Sequence, residues 1–284
     1  QNKLGSEFNN QNLKCTHELV INFYYNRVVF TNLTNNLEYA QLWSKSLPLV
    51  IYLLFTQANI MAADFNLTEE RVITSDADQW LVHGRTYDEQ RFSPLEQINT
   101  ETIKDLGIAW FFETSSNRGH ESSPIIIDGV MFATAAWGVV YATNAKNGEL
   151  LWTYDPKVPR EQAFFACCDV VNRGVAVWQG KVFLGTLDGR LIALDANTGK
   201  LIWETMTVDD SKAYSITGAP RVIKGKVLIG NGGAEYGVRG YVSAYDSDTG
   251  ALMWRFYTVP DNPENGFESE AMRLAASTWS GNNW

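Results

Sequence analysis

Two cysteines stand side by side at Cys167-Cys168, and that adjacency is the sharpest chemical feature of the chain. Neighbouring Cα atoms lie about 3.8 Å apart, below the ~4.4 Å lower end of the usual disulfide range. Bonded, the pair closes a small strained ring and makes a flat, rigid plate; unbonded, it is two reduced, buried thiols. Five residues on, Arg173 offers either a planar fork for carboxylates or an ordinary solvated charge. Gly232-Gly233-Ala234-Glu235 sets small residues before a carboxylate. Such a run lets a ligand approach the backbone, and a carboxylate among peptide carbonyls suits a hard cation such as Ca²⁺; the plainer reading is a turn with a solvated Glu. Glu121, in Arg118-Gly119-His120-Glu121, is similarly open, and His120 reads as a structural or exposed histidine rather than a metal ligand.

These residues are positioned by a repeat. Ala142-Thr143-Asn144-Ala145-Lys146-Asn147-Gly148, Ala193-Leu194-Asp195-Ala196-Asn197-Thr198-Gly199 and Ala244-Tyr245-Asp246-Ser247-Asp248-Thr249-Gly250 each lead to a tryptophan, and Trp152, Trp203 and Trp254 are spaced 51 residues apart. Each copy reads as a β-hairpin whose Gly takes the positive-φ position. Upstream of each lies a second turn and strand, at Asp128-Gly129, Gln179-Gly180 and Lys224-Gly225. Four short strands per 51 residues make an all-β chain built from β-propeller blades, with each Trp stacking between neighbours. Trp110 should serve the preceding blade. The repeats differ internally: the third copy carries six extra residues within Gly232–Gly240, and the longer link before the second carries Cys167-Cys168. Insertions in propellers gather on one face, often the binding face.

Composition agrees. Hydrophobic residues make up 45% and charged residues 19% of the 284 residues, which excludes wholesale disorder. A formal charge of −9 argues against nucleic acid as a partner. No apolar run reaches the ~18 residues of a membrane-spanning helix. Residues 1–60 differ from the rest and are read as a non-native or signal-like leader: Lys3-Leu4-Gly5-Ser6-Glu7-Phe8 has the form of translated cloning sites, and Lys45 followed by Leu47–Phe55 and Thr56-Gln57-Ala58 has the form of a secretory h-region with its cleavage site. Residues 64–284 have room for about four blades, and Ala271, Met272 and Ala275 predict a short helix near the end.

The A-x-D-x-x-T-G-x-x-x-W pattern, met in full twice and once with Asn144 and Asn147 for its Asp and Thr, the vicinal cysteines with Arg at +5, Ser215-Ile216-Thr217-Gly218-Ala219-Pro220 and Gly232–Gly240 together resemble the pyrroloquinoline-quinone (PQQ) alcohol dehydrogenases of the methanol/ethanol family. Trp80-Leu81-Val82-His83-Gly84-Arg85 resembles the opening of their first blade. The resemblance implies an eight-bladed propeller, of which this chain is an N-terminal portion, with PQQ on its axis. It implies a disulfide between Cys167 and Cys168 against one face of the quinone. Glu121, Arg173, Thr217, Gly232, Gly233 and Ala234 match cofactor-contacting positions, Val171 sits near the cofactor edge, and Glu235 matches the Ca²⁺-binding carboxylate. It further implies oxidation of primary alcohols to aldehydes, cytochrome c or an appended haem c domain as electron acceptor, and a periplasmic location. The family's catalytic Asp belongs to motifs beyond Trp284, so the polypeptide alone is expected not to turn over alcohol. The alternative is a non-catalytic propeller scaffold of the outer-membrane assembly type, which has no reason to keep Cys-Cys, Arg173 and Glu235 in one-sided insertions.

Overall fold

The computed structural model describes residues 21–24, 27–30, 65–74 and 76–280. Strands β1 (Ile21–Tyr24) and β2 (Arg27–Phe30) form an antiparallel pair, and β2 adds to β3 (Trp110–Glu113) with Phe30 opposite Trp110. Part of the stretch read as a leader is therefore in a sheet, a placement the sequence reading did not foresee. The apolar run Leu47–Phe55, the Thr56-Gln57-Ala58 site and Cys15 lie outside the described residues. A short helix α1 (Glu69–Ile73) is capped by Thr68, whose hydroxyl accepts from the Arg71 N–H at 3.3 Å.

Three four-stranded antiparallel meanders follow among the described residues. The first is β4 (Ile125–Ile127), β5 (Val130–Thr134), β6 (Val140–Asn144) and β7 (Leu150–Tyr154). The second is β8 (Ala176–Trp178), β9 (Lys181–Gly185), β10 (Arg190–Asp195) and β11 (Leu201–Met206). The third is β12 (Arg221–Ile223), β13 (Lys226–Gly230), β14 (Tyr241–Asp246) and β15 (Leu252–Tyr257). These are propeller blades. Their first hairpins close with two residues at positive φ, as in Asp128 (48°) and Gly129 (77°), the mirror-image turn that matches strand twist. In the first two blades the first three strands are largely buried, in the third β12 and β13 are only partly so, and the fourth strand of each is half-buried to exposed, so the core runs along the inner and middle strands. Phe132, Phe183, Leu184, Leu191, Ile192 and Leu194 are among its fully buried members.

The docking tryptophans behave as their spacing predicts. Trp110, Trp152 and Trp203 each donate from Nε1 to a carbonyl of the next blade, at Ala145 (3.3 Å), Ala196 (2.9 Å) and Ser247 (3.3 Å). Each ring lies on the turn glycine of that blade: a Cβ on Gly148, Gly199 or Gly250 would meet it at 2.3, 2.5 or 2.7 Å. Within a blade the Trp faces a buried alanine, Trp152 opposite Ala142, Trp203 opposite Ala193 and Trp254 opposite Ala244, and each pairing is followed by a register shift. The small alanine makes room for the indole, and the bulge turns the strand end into the docking loop. The Trp80 segment contributes one bridge rather than a strand, exchanging two 2.9 Å hydrogen bonds with Ile126 at the free edge of β4. The expected terminal helix is α2 (Glu270–Ala276), capped by Ser269, whose hydroxyl accepts from Met272 N–H at 3.2 Å. No helix among the described residues is long and apolar enough to cross a membrane.

Candidate functional site

Glu121, Arg173 and Thr217 occupy equivalent places: each stands three or four residues before the inner strand of its blade, β4, β8 and β12. Three loops separated by about fifty residues apiece along the chain are thereby brought together. The Arg173 guanidinium bridges its neighbours, with Nη2 at 2.9 Å from Glu121 Oε2 and Nη1 donating to Thr217 Oγ1 at 2.7 Å. The backbones are tied as well: Arg173 N–H donates to the Thr217 carbonyl (3.0 Å) and Ser123 N–H donates to the Arg173 carbonyl (3.3 Å). Beneath Arg173, buried Asn172 donates to the Gly185 carbonyl at 2.8 Å and accepts from Gly174 N–H at 3.0 Å. Sequence reasoning passed over Asn172; its place beside Arg173 in Asn172-Arg173-Gly174 was the available signal.

Gly232 pairs with Ser215 through two backbone hydrogen bonds, Gly232 N–H to Ser215 O at 2.6 Å and Ser215 N–H to Gly232 O at 3.3 Å. The Ser215–Pro220 stretch and the small-residue run are therefore adjacent. Gly233 is buried with φ +105°, and a Cβ there would sit 2.2 Å from the Ala213 carbonyl, so only glycine fits. Ala234–Tyr236 then forms a single 3-10 turn, which leaves Ala234 and Glu235 exposed. Glu235 has no hydrogen-bond or ion-pair partner among the described residues. Arg173, Thr217 and Gly232 line one open cavity of about 610 Å³, which His83 and Arg221 also border.

Cys167 and Cys168 are exposed, with their sulfurs within bonding reach and their Cα atoms 3.8 Å apart. The next residue, Asp169, takes positive φ (74°), ion-pairs with Arg118 and accepts from the Val170 N–H at 2.8 Å. That turn buries Val170 and Val171 at 1% and 5% exposure, so Val171 packs inward. The cysteine link and the Gly232–Gly240 insertion meet through an edge-to-face contact between Phe165 and Tyr236, centroids 6.0 Å apart. This was not legible in the sequence, where the two aromatics are ordinary loop residues.

Burial lowers the His83 pKa from its usual value, and Arg221 and Arg91 push it further down. Burial works to raise the Glu89 carboxyl, but Arg221, whose Nε donates to it at 2.8 Å, outweighs this and holds it below the usual carboxylate range. Burial also lowers His120, whose Nε2 is 3.0 Å from Thr114 Oγ1, as befits a structural histidine. No group of three or more His, Cys, Asp or Glu side chains poised for a metal occurs among the described residues. Any cation at Glu235 would need the ligand itself, or other parts of the protein, to complete its shell.

Comparison with known proteins places this arrangement. Residues 80–284 match the family model described as PQQ, glucose/ethanol/alcohol dehydrogenase, beta-propeller domain. The chain is 53% identical over 236 residues to quinohemoprotein alcohol dehydrogenase ADH IIB of Pseudomonas putida, covering 83% of this chain and 34% of that protein. It is 56% identical over 202 residues to 1-butanol dehydrogenase (cytochrome c) of Thauera butanivorans, covering 71% and 29%. Among solved structures, quinohemoprotein alcohol dehydrogenase ADHIIG from Pseudomonas putida HK5 superposes with TM-score 0.75 at 52% identity, covering 78% of this chain and 33% of that one. A europium-containing methanol dehydrogenase superposes with TM-score 0.65 at 42% identity, covering 69% and 34%. The chain thus spans about a third of the length of the relatives it matches.

Proposed function

Because this chain belongs to the PQQ β-propeller family of glucose, ethanol and alcohol dehydrogenases, we propose that it supplies cofactor-holding blades of a quinoprotein alcohol dehydrogenase, which oxidises primary alcohols to aldehydes and passes the electrons to cytochrome c. The single observation that carries this reading is the linkage of Glu121, Arg173 and Thr217 from three successive blades, with Arg173 and Thr217 lining one cavity.

The residues present suit such a cofactor. A planar polycarboxylate needs a cationic fork, a hydroxyl donor and a flat surface; Arg173, Thr217 and the bonded pair Cys167–Cys168 offer these. Glu121 neutralises and orients the guanidinium on one side, which leaves its remaining N–H groups for the ligand. Gly232 lines the cavity and Ala234 is exposed, so both could offer backbone to a ligand edge, while Gly233 packs against the Ala213 carbonyl and buried Val171 fixes the loop between the sulfurs and Arg173. Glu235, without a partner among the described residues, would hold Ca²⁺. When bound, PQQ supplies a two-electron acceptor and Ca²⁺ a Lewis acid. The chain's assigned residues bind and orient; none is assigned as the base that takes the alcohol proton. A disulfide at Cys167–Cys168 fits a periplasmic protein, since that compartment is oxidising. A non-catalytic scaffold could use Arg173 and Thr217 to tie the loops together, but leaves Glu235, which has no partner among the described residues, without a role.

The test is PQQ binding to the purified chain with Ca²⁺ present, followed by quenching of tryptophan fluorescence. Removing a charge-assisted contact in Arg173→Ala should weaken binding about tenfold or more, with Arg173→Lys intermediate because it keeps charge but loses the fork. An Arg173→Ala variant that binds PQQ as well as the parent sinks the reading.

A further inference from the structure

The insertion that carries Glu235 is clamped at both ends. At its start, Tyr241 N–H donates to Asn231 Oδ1 at 2.8 Å, and Gly232 is paired with Ser215. At its finish stands Arg239, four residues after Glu235 and held from several sides. Its Nη1 and Nη2 reach the two carboxylate oxygens of Glu268 at 2.6 and 3.0 Å, and Nη1 also faces Asp261 Oδ2 at 3.4 Å. Its Nε donates to the Val259 carbonyl at 2.8 Å, and its guanidinium lies 3.8 Å over the Tyr257 ring. Its own carbonyl accepts from Tyr214 Oη at 3.3 Å. The side chain is only 18% exposed. The loop's one cation is therefore saturated by acids from the segment leading into α2, while the loop's one carboxylate has no partner.

That division has a physical reason. A guanidinium and a carboxylate four residues apart in one short loop would pair with each other if nothing else engaged them. Glu235 would then be unavailable to a cation. We propose that Arg239 is a positioning residue for Glu235, and that Glu268 and Asp261 occupy its guanidinium so that the Glu235 carboxylate stays free for a divalent cation. The proposal rests on the reading of Glu235 as the Ca²⁺ ligand.

Ca²⁺ titrations at fixed PQQ, read by tryptophan quenching, test it in four variants of the whole chain. Glu235→Gln tests the underlying reading: if its Ca²⁺ response equals that of the parent, Glu235 is no ligand and both ideas fall. With that loss in hand, Glu268→Gln should raise the Ca²⁺ half-saturation about threefold to fivefold, the worth of one partly exposed ion pair. PQQ affinity at saturating Ca²⁺ should be unchanged. Arg239→Gln loosens the loop but also removes the competing cation, so it should raise the half-saturation less than Glu268→Gln does. That comparison is the decisive arm. In the double variant Glu268→Gln/Arg239→Gln the half-saturation should fall back to that of Arg239→Gln alone. Equal losses in the two single variants, or a Glu268→Gln variant that loses PQQ and Ca²⁺ binding equally, would assign these residues to plain stability and overturn the proposal. The thermal midpoint of each variant, measured alongside, separates unfolding from a shift in Ca²⁺ affinity.

Discussion

At the scale of single residues, the chain's chemistry depends on which polar groups have partners and which are spare. Arg173 is shared between Glu121 and Thr217, Arg239 is saturated, and Glu235 is spare. The sulfurs of Cys167 and Cys168 invite a direct count: titration of the denatured chain should find two fewer thiols before reduction than after, with equal numbers refuting the bond. Tyr241 offers a pH test. Its hydroxyl donates to the Thr207 carbonyl at 2.7 Å, and burial pushes its pKa up to about 12, against the opposing pull of Arg255 above its ring. In the unfolded chain the phenol titrates near the ordinary 10.0. Its contribution is complete below about pH 10 and is lost progressively up to about pH 12, because the unfolded state releases the proton first. Denaturant midpoints measured across that window should fall more steeply for the parent than for Tyr241→Phe.

At the scale of elements, the unit is a hairpin turn with a foreign indole on it. Gly180 and Gly199 both have positive φ, 76° and 67°, yet a Cβ on Gly180 meets nothing within 4 Å while one on Gly199 meets Trp152 at 2.5 Å. Gly180→Ala should therefore cost only the left-handed backbone penalty, about 1–2 kcal/mol. Gly199→Ala adds overpacking against the ring, for a total of about 2–4 kcal/mol. Urea unfolding of the two variants measures the difference; equal losses would mean that the indole does not bear on the turn. The same comparison explains the irregular third repeat. The six extra residues fall between β13 and β14, away from the docking turn, so the inserted loop can carry Glu235 without disturbing the Trp203–Gly250 contact.

For the whole molecule, each blade buries its side against the next, so stability is a sum of blades and of interfaces between neighbours. Trp203 joins the second and third blades through Gly250 and Ser247, and Lys181 adds an ion pair to Asp248 at 2.8 Å. Trp203→Ala should loosen the third blade selectively. Hydrogen exchange in β12–β15 should accelerate well before exchange in β4–β7, whereas uniform acceleration would show that the blades unfold as one. Trp254, the corresponding residue of the third blade, is 42% exposed, and acrylamide should quench it more readily than Trp203.

The 51-residue period, the turn glycines and the tryptophans were enough to read blades and docking from the amino-acid order, and Ala271, Met272 and Ala275 the short terminal helix, because each rests on local rules: positive φ, the spacing of apolar residues, and a large ring that must be buried. The chemically suggestive residues were legible too, as types at odd places in the repeat. Their partnerships were not. Glu121, Arg173 and Thr217 are far apart along the chain, and only the stacking of successive blades brings the three pre-strand loops together. The Phe165–Tyr236 contact, the capture of Arg239 by Glu268 and the burial of Val171 likewise depend on how loops from different blades lie over one another. Local backbone preference has a range of a few residues, whereas an ion pair or ring contact depends on distance in space, and the tertiary fold alone sets that distance.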